Sequence, residues 1–259
     1  MASFFPDPND DAESHRLRPL SDDDIERFRA ASRAQRIEEE EPPTSGDDES
    51  LFIECMEFFV DDLRARGFIG RRWPNGVLVY AFASDVTADH RDNFVEAAQE
   101  WSKVANVSFR ERTNEKGYVL VQNDITNSAT VGYRGKKQNL KIAQWDQRFV
   151  IVHEIGHSLG LDHEHCRDDR DTFVEILEEN IWPGYGMNFE IREGETYSDY
   201  DFKSLMHYGP RDASKDGVSP TIQARPAYAS QGKYMGNRTY ISADDAVGMA
   251  ARYGAPVTG

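Results

Sequence analysis

Residues 152–171 read VHEIGHSLGLDHEHCRDDRD, and three histidines in that run stand where one metal ion could reach them all. His153 and His157 are four residues apart, so on a helix both imidazoles leave the same face a turn from each other. Glu154 sits beside the first of them, suited to act on a water at the ion. Gly160 permits the sharp turn of positive φ that ends such a helix, and beyond it His163 offers a third imidazole. Three neutral nitrogens leave one position open, the arrangement of a catalytic zinc site rather than a closed structural one. His165 follows the run but is not at ligand spacing, and His15 and His90 lie in polar surroundings that suggest no ligand role.

Such a helix needs a frame to hold it. From Trp73 onward the pattern is that of a mixed α and β domain. Val77 to Phe82 (VLVYAF) is rich in strand formers and follows the turn residues Pro74, Asn75 and Gly76. Phe94, Ala97, Ala98 and Trp101 then make an i, i+3, i+4, i+7 stripe that predicts an amphipathic helix. Val107 to Phe109, Tyr118 to Gln122 and Leu140 to Ala143 read as further short strands. No repeat of 20 to 50 residues is visible.

Composition narrows the partners. The chain has 259 residues, enough for one or two domains with a real core, and a formal net charge of −16. That charge disfavours phosphate backbones and anionic lipid surfaces, so neither nucleic acid nor membrane is expected as a partner. No stretch reaches the roughly 18 to 20 consecutive apolar residues of a membrane helix, and the opening MASFFPDPNDD has neither the basic nor the apolar region of a secretory signal. Two cysteines, Cys55 and Cys166, exclude a disulfide-dense scaffold.

The charge is concentrated upstream. Residues 1–63 carry 19 acidic side chains against six arginines, a net of −13, which leaves −3 for the rest. Ser21, followed by Asp22, Asp23 and Asp24, looks like the start of a helix reaching about Ile37. The run from Glu38 through Pro42, Pro43 and Ser50 reads as a solvated connector. Phe52, Met56, Phe59 and Leu63 then recur at helical spacing with Cys55 beside them, an apolar face that must pack on something. Arg64 and Arg66 follow, then Arg71 and Arg72, where a trypsin-like protease could cut an exposed loop.

The extended HExxHxxGxxH of His153, Glu154, His157, Gly160 and His163 resembles that of the astacin metalloproteases within the metzincin clan. Glu164, Arg167, Asp169, Arg170 and Asp171 continue the family's HExxRxDRD pattern, and Ser204 to Tyr208 (SLMHY) is similar to its Met-turn. WPNG at Trp73, VGYRGKKQ at Val131 and the last helix from Ser242 to Tyr253 add smaller echoes, so the resemblance spans about residues 64–254.

The resemblance implies an α+β metzincin fold of two subdomains flanking a cleft. A twisted mixed sheet with the active-site helix lies above, and a less regular half with the Met-turn and a final helix lies below. It implies a zinc-dependent endopeptidase acting on protein or peptide substrates, with residues 1–66 as an acidic propeptide and 67–259 as the catalytic domain. The zymogen would need an activating protease. His153, His157 and His163 become the zinc ligands and Glu154 the proton carrier. Tyr208 becomes a fifth ligand at rest that turns to bond the oxyanion, and Met206 an apolar base under the metal. Glu164 would salt-bridge toward the new amino terminus. An edge strand within Ala129 to Leu140 would receive the substrate, and Arg225 is a candidate for reading an acidic residue just after the cut. The resemblance also implies secretion. The rival expectation is a zinc-containing binding protein whose cleft is permanently filled by its own acidic segment.

The chain lacks the family's two catalytic-domain disulfides, and Phe59 to Asp62 lacks the glycine of the FxGD motif by which many family propeptides block the metal. Cys55 is the candidate substitute. Its thiolate could cap the metal, it could pair with Cys166, or it could be a buried inert thiol.

Overall fold

A computed structural model describes residues 70–256 except 193, 195 and 197. The upstream helix, the Cys55 segment and the arginines at 64 and 66 lie outside the described residues.

The strand predicted at Val77–Phe82 is β1, with those same limits. It leads into α1, Ala88–Val104, capped by Thr87, whose hydroxyl accepts the amide of His90 at 3.3 Å. The predicted stripe is what α1 buries: Phe94, Ala97, Ala98 and Trp101 lie at 2% exposure or less. Ser108–Glu111 forms β2, Tyr118–Asn123 β3, Ser128–Ala129 β4 and Lys137–Ile142 β5. The sheet order is β2-β1-β3-β5-β4, parallel throughout except that β4 runs antiparallel to β5. β4 is thus one edge of the sheet, and pairing extends it to Thr130, whose amide donates to the Asn139 carbonyl at 3.0 Å. It begins one residue before the expected span, and β5 is interior to the sheet.

Arg148–Leu159 is α2, packed against α1 and joined to it by the Trp101 indole, whose Nε1 donates to the Val152 carbonyl at 2.9 Å. Below α2 the chain is mostly turns and short 3-10 segments. A two-stranded ribbon interrupts them, β6 (Val174–Ile176) with β7 (Ile222–Ala224), and α3 (Ala243–Tyr253) follows. The buried apolar residues form two clusters, but Leu205 and Met206 of the Met-turn and the last helix, expected in the lower half, share the core of the sheet. The larger joins the sheet, α1, α2, Met206 and α3, and the smaller gathers Val174, Phe189, Tyr200, Phe202, Tyr208 and Ile222. No helix among the described residues is long and apolar enough to cross a membrane.

Candidate metal centre

Helix α2 ends where the sequence requires. Gly160 adopts φ 110°, and its amide closes onto the carbonyls of Gly156 and His157. The reversal brings Leu161 back under the helix and places His163 opposite His157, their Nε2 atoms 3.2 Å apart. One donor atom from each of His153, His157 and His163 lies within 4.8 Å of the others, all three residues being fully buried.

Hydrogen bonds fix which nitrogen faces inward. His153 Nδ1 is 2.9 Å from the Leu205 carbonyl and His157 Nδ1 is 2.8 Å from the Leu161 carbonyl. A carbonyl only accepts, so each Nδ1 carries the proton and each Nε2 keeps its lone pair for an ion. Burial, the largest cause, holds all three imidazoles well below their usual pKa, His157 at about 3. The neutral state that a metal ligand needs is thus the resting state at neutral pH. Glu154 is buried on α2 next to His153.

The Met-turn lies beneath. A Cβ built on Gly156 would stand 3.2 Å from Met206 Sδ and 3.0 Å from Trp101 Cζ2, so glycine is what allows the thioether to press against α2 between the two helical histidines. The turn is tied from two sides. Asp245 on α3 accepts from Ser204 Oγ and the Leu205 amide, both at 2.7 Å. Arg238 Nη1 donates to the carbonyls of Leu205 and His207 at 2.7 and 3.1 Å. Leu205 is consequently held at its amide by Asp245 and grips His153 with its carbonyl.

Tyr208 is buried with its ring centroid 4.5 Å from that of His163 and 4.2 Å from that of His165, nearly parallel to the latter. Its neighbour His207 is clamped between the Tyr208 carbonyl and the Tyr200 hydroxyl, each at 2.7 Å, the hydroxyl donating to the ring. Glu164 Oε1 accepts from Arg167 Nη1 at 2.8 Å and the Asp201 amide at 2.9 Å. Burial pushes its carboxyl up to about 8 against the pull of Arg167. Arg225 lies farther out, beside β7, where Nε donates to the Asp171 carbonyl and Nη1 stands 3.7 Å from Glu175. Cys166 is buried, its thiol donating to the Asn188 carbonyl at 3.1 Å, and the three readings of Cys55 concern a residue outside the described ones.

Three supporting residues escaped the sequence reading. Asp245 carried a visible signal, since Ser242 and Asp245 form a capping box, but nothing in that motif says that the carboxylate also reaches the Met-turn. Arg238 carried none. Its Nε and Nη2 are buried without a protein partner, a spare donor face close enough to act electrostatically on His153. Arg192, 2.8 Å from the buried Asp162, ties the segment after Phe189 to the loop bearing His163, and Asp162 in turn accepts the His163 amide at 2.8 Å.

Comparison with known proteins agrees with this geometry. Residues 66–254 match the family model described as Astacin (Peptidase family M12A). Bone morphogenetic protein 1 of Xenopus laevis is 36% identical over 198 residues, covering 73% of this chain and 28% of that protein. Human Tolloid-like protein 1 is 35% identical over 198 residues, covering 73% and 19%. The chain thus spans less than a third of the length of these curated relatives. Among solved structures, the zinc protease High choriolytic enzyme 1 of Oryzias latipes superposes with a TM-score of 0.65 at 26% identity, covering 76% of this chain and 96% of that one.

Proposed function

The chain belongs to the astacin family and is a metalloendopeptidase, and from that premise we propose that His153, His157 and His163 hold a catalytic zinc ion at which Glu154 and Tyr208 carry out peptide hydrolysis. The observation that carries this reading is the convergence of three buried, neutral imidazoles, two of them donating Nδ1–H to backbone carbonyls, around one point at the C-terminal end of α2. The donor set suits zinc, and its three nitrogens leave room for water or substrate. When bound, the ion supplies Lewis acidity to the scissile carbonyl and lowers the pKa of water at the centre toward about 7.

The protein's own groups do the rest. Glu154 accepts the proton of the attacking water and returns it to the leaving amine. Tyr208, its ring 4.5 Å from that of His163, donates its hydroxyl to the oxyanion as charge develops there. Met206 and Gly156 hold the floor of the site at fixed height, and Asp245 with Arg238 keep the Leu205 carbonyl on His153. An extended peptide adds to the sheet beyond β4, whose continuation is fixed to α2 by the Gly132 amide on the His157 carbonyl at 2.9 Å. The unpartnered face of Arg238 suits an acidic side chain just after the cut, and Arg225 is the more exposed alternative. Residues 1–66 act as a propeptide that keeps the enzyme latent until an activating protease cuts near Arg66, and the route is secretory, as for the family.

Chelation and two substitutions test the reading. Dialysis against a strong chelator abolishes hydrolysis of a casein substrate by the cleaved protein, and stoichiometric zinc restores it. Glu154→Gln retains one zinc per chain but loses at least about 10²-fold in kcat, and Tyr208→Phe loses about 10²-fold with zinc affinity little changed. Purified protein without zinc, or a fully active Glu154→Gln, would sink the assignment.

A further inference from the structure

His163, His165 and Cys166 form a second group whose donor atoms all lie within 4.8 Å of one another, and all three are buried. The short 3-10 turn Glu164–Cys166 turns residues i, i+2 and i+3 toward each other. His165 Nε2 lies 3.0 Å from the Asn188 carbonyl, which can only accept, so Nε2 carries the proton and Nδ1 keeps a lone pair. That Nδ1 is buried with no protein partner, and so is Nδ1 of His163. Cys166 Sγ, 3.1 Å from the same Asn188 carbonyl, completes the group. The Asn188 carbonyl is thus the orienting acceptor for two of the three side chains, as outer groups are around metal ligands. Arg170 Nη1, bonded to the carbonyls of both His165 and Phe189, locks the turn to the segment carrying Asn188.

We propose that His163, His165 and Cys166 are a second cation site that takes a thiophilic divalent ion, zinc in excess or cadmium, and that it draws on the same His163 ring as the catalytic centre. A thiolate and two imidazole nitrogens make a soft, mixed donor set that favours such ions over magnesium or calcium. Donor atoms around zinc stand about 3.5 Å apart, a spacing the group reaches by small side-chain shifts from separations within 4.8 Å. Binding expels the thiol proton to solvent as the sulfur–metal bond forms. A neutral imidazole has one lone pair, so an ion at this site competes with the first centre for His163 and loosens the first ion. The existence of the site does not depend on the function proposed above. Only the competition does.

The test uses the full chain carrying Cys55→Ala, so that Cys166 is the sole thiol. The protein is loaded with one equivalent of zinc and titrated with cadmium. A thiolate-to-cadmium absorption band in the ultraviolet saturates at one equivalent, vanishes in Cys166→Ser, and needs about tenfold or more cadmium in His165→Gln, which keeps the thiol. Absence of the band in protein with native circular dichroism, or a band indifferent to His165→Gln, overturns the site. Loss of zinc to a colorimetric chelator speeds up by about tenfold once cadmium is bound, and an unchanged release rate overturns the sharing of His163.

Discussion

Ser204 Oγ donates to Asp245 Oδ1 at 2.7 Å, joining the Met-turn to the first turn of the last helix across 41 residues of chain. The second oxygen of the same carboxylate takes the amides of Leu205 at 2.7 Å and Ser242 at 3.2 Å. Three donors with no water to fall back on thus depend on one side chain. Removing it by Asp245→Ala leaves them buried and unsatisfied, at a cost of about 3 kcal/mol. For a domain of this size that is roughly 6 to 12 °C of Tm by calorimetry. Activity per folded molecule, measured well below the new midpoint, drops as well, because Leu205 presents the carbonyl that orients His153. Unchanged specific activity would make the clamp structural only.

What the sequence made legible here, and what it did not, follows the range of the interactions. His153, Glu154, His157, Gly160 and His163 lie within eleven residues, and helical period with glycine's access to positive φ determines their arrangement before any tertiary contact forms. The strands at residues 77–82 and 118–123 were equally local. The Leu205 carbonyl on His153, the Asp245 carboxylate on Leu205 and the guanidinium of Arg238 join residues some 30 to 50 positions apart. No periodicity encodes them, so the histidine cluster was readable and most of what steadies it was not. Cys166 shows the same limit, since nothing in the sequence points its thiol at the Asn188 carbonyl 22 residues on.

Arg238 and Arg225 make opposite predictions for substrate choice. Arg238 has spare buried donors close enough to act electrostatically on His153, whereas Arg225 is engaged with Asp171 and Glu175 at the surface. Truncating a buried charge that pairs with substrate costs about 2 kcal/mol or more, and removing an exposed one costs little. With paired peptides bearing aspartate or alanine just after the cut, the ratio of their kcat/KM falls by about 30-fold in Arg238→Gln and by less than about threefold in Arg225→Gln. Using the ratio cancels any general loss from disturbing Leu205 and His207. The reverse ordering would assign specificity to Arg225.

Asp201 gives the stability a pH dependence of its own. Burial, reinforced by the nearby charge of Asp245, raises its carboxyl from the ordinary 3.8 to about 6. Between those values the folded state holds a proton that the unfolded chain has released, so this contribution to stability is fully present below about pH 3.8 and is lost as pH rises through about 6. Asp201→Asn keeps an acceptor for the Lys203 amide, bonded at 2.9 Å, and removes the titration. Its stability relative to wild type therefore rises between pH 4 and pH 7, by on the order of 2 kcal/mol in urea melts. A constant difference across that range would show that Asp201 is ionised in the fold throughout.

The proposed latency is tested at Cys55. The Cys55 thiol caps the metal, pairs with Cys166 or is inert, and wild-type protein denatured without reductant shows two free thiols in every case but the pairing. A thiolate is a strong fourth ligand, bonding zinc at about 2.3 Å and losing its proton outright. The apolar face of Phe52, Met56 and Phe59 around Cys55 gives the segment a means of docking, and Arg64 and Arg66 lie a short distance beyond for release. Under the cap, uncleaved Cys55→Ala hydrolyses casein at a rate approaching that of trypsin-treated wild type, while uncleaved wild type stays silent until a trace of trypsin cuts it. Cobalt-substituted wild type shows a thiolate-to-cobalt absorption band that cleavage abolishes. A silent Cys55→Ala that trypsin then activates points to steric blockage by the acidic segment. A protein that stays silent after cleavage, with zinc bound and Glu154 intact, would favour a cleft occupied for good.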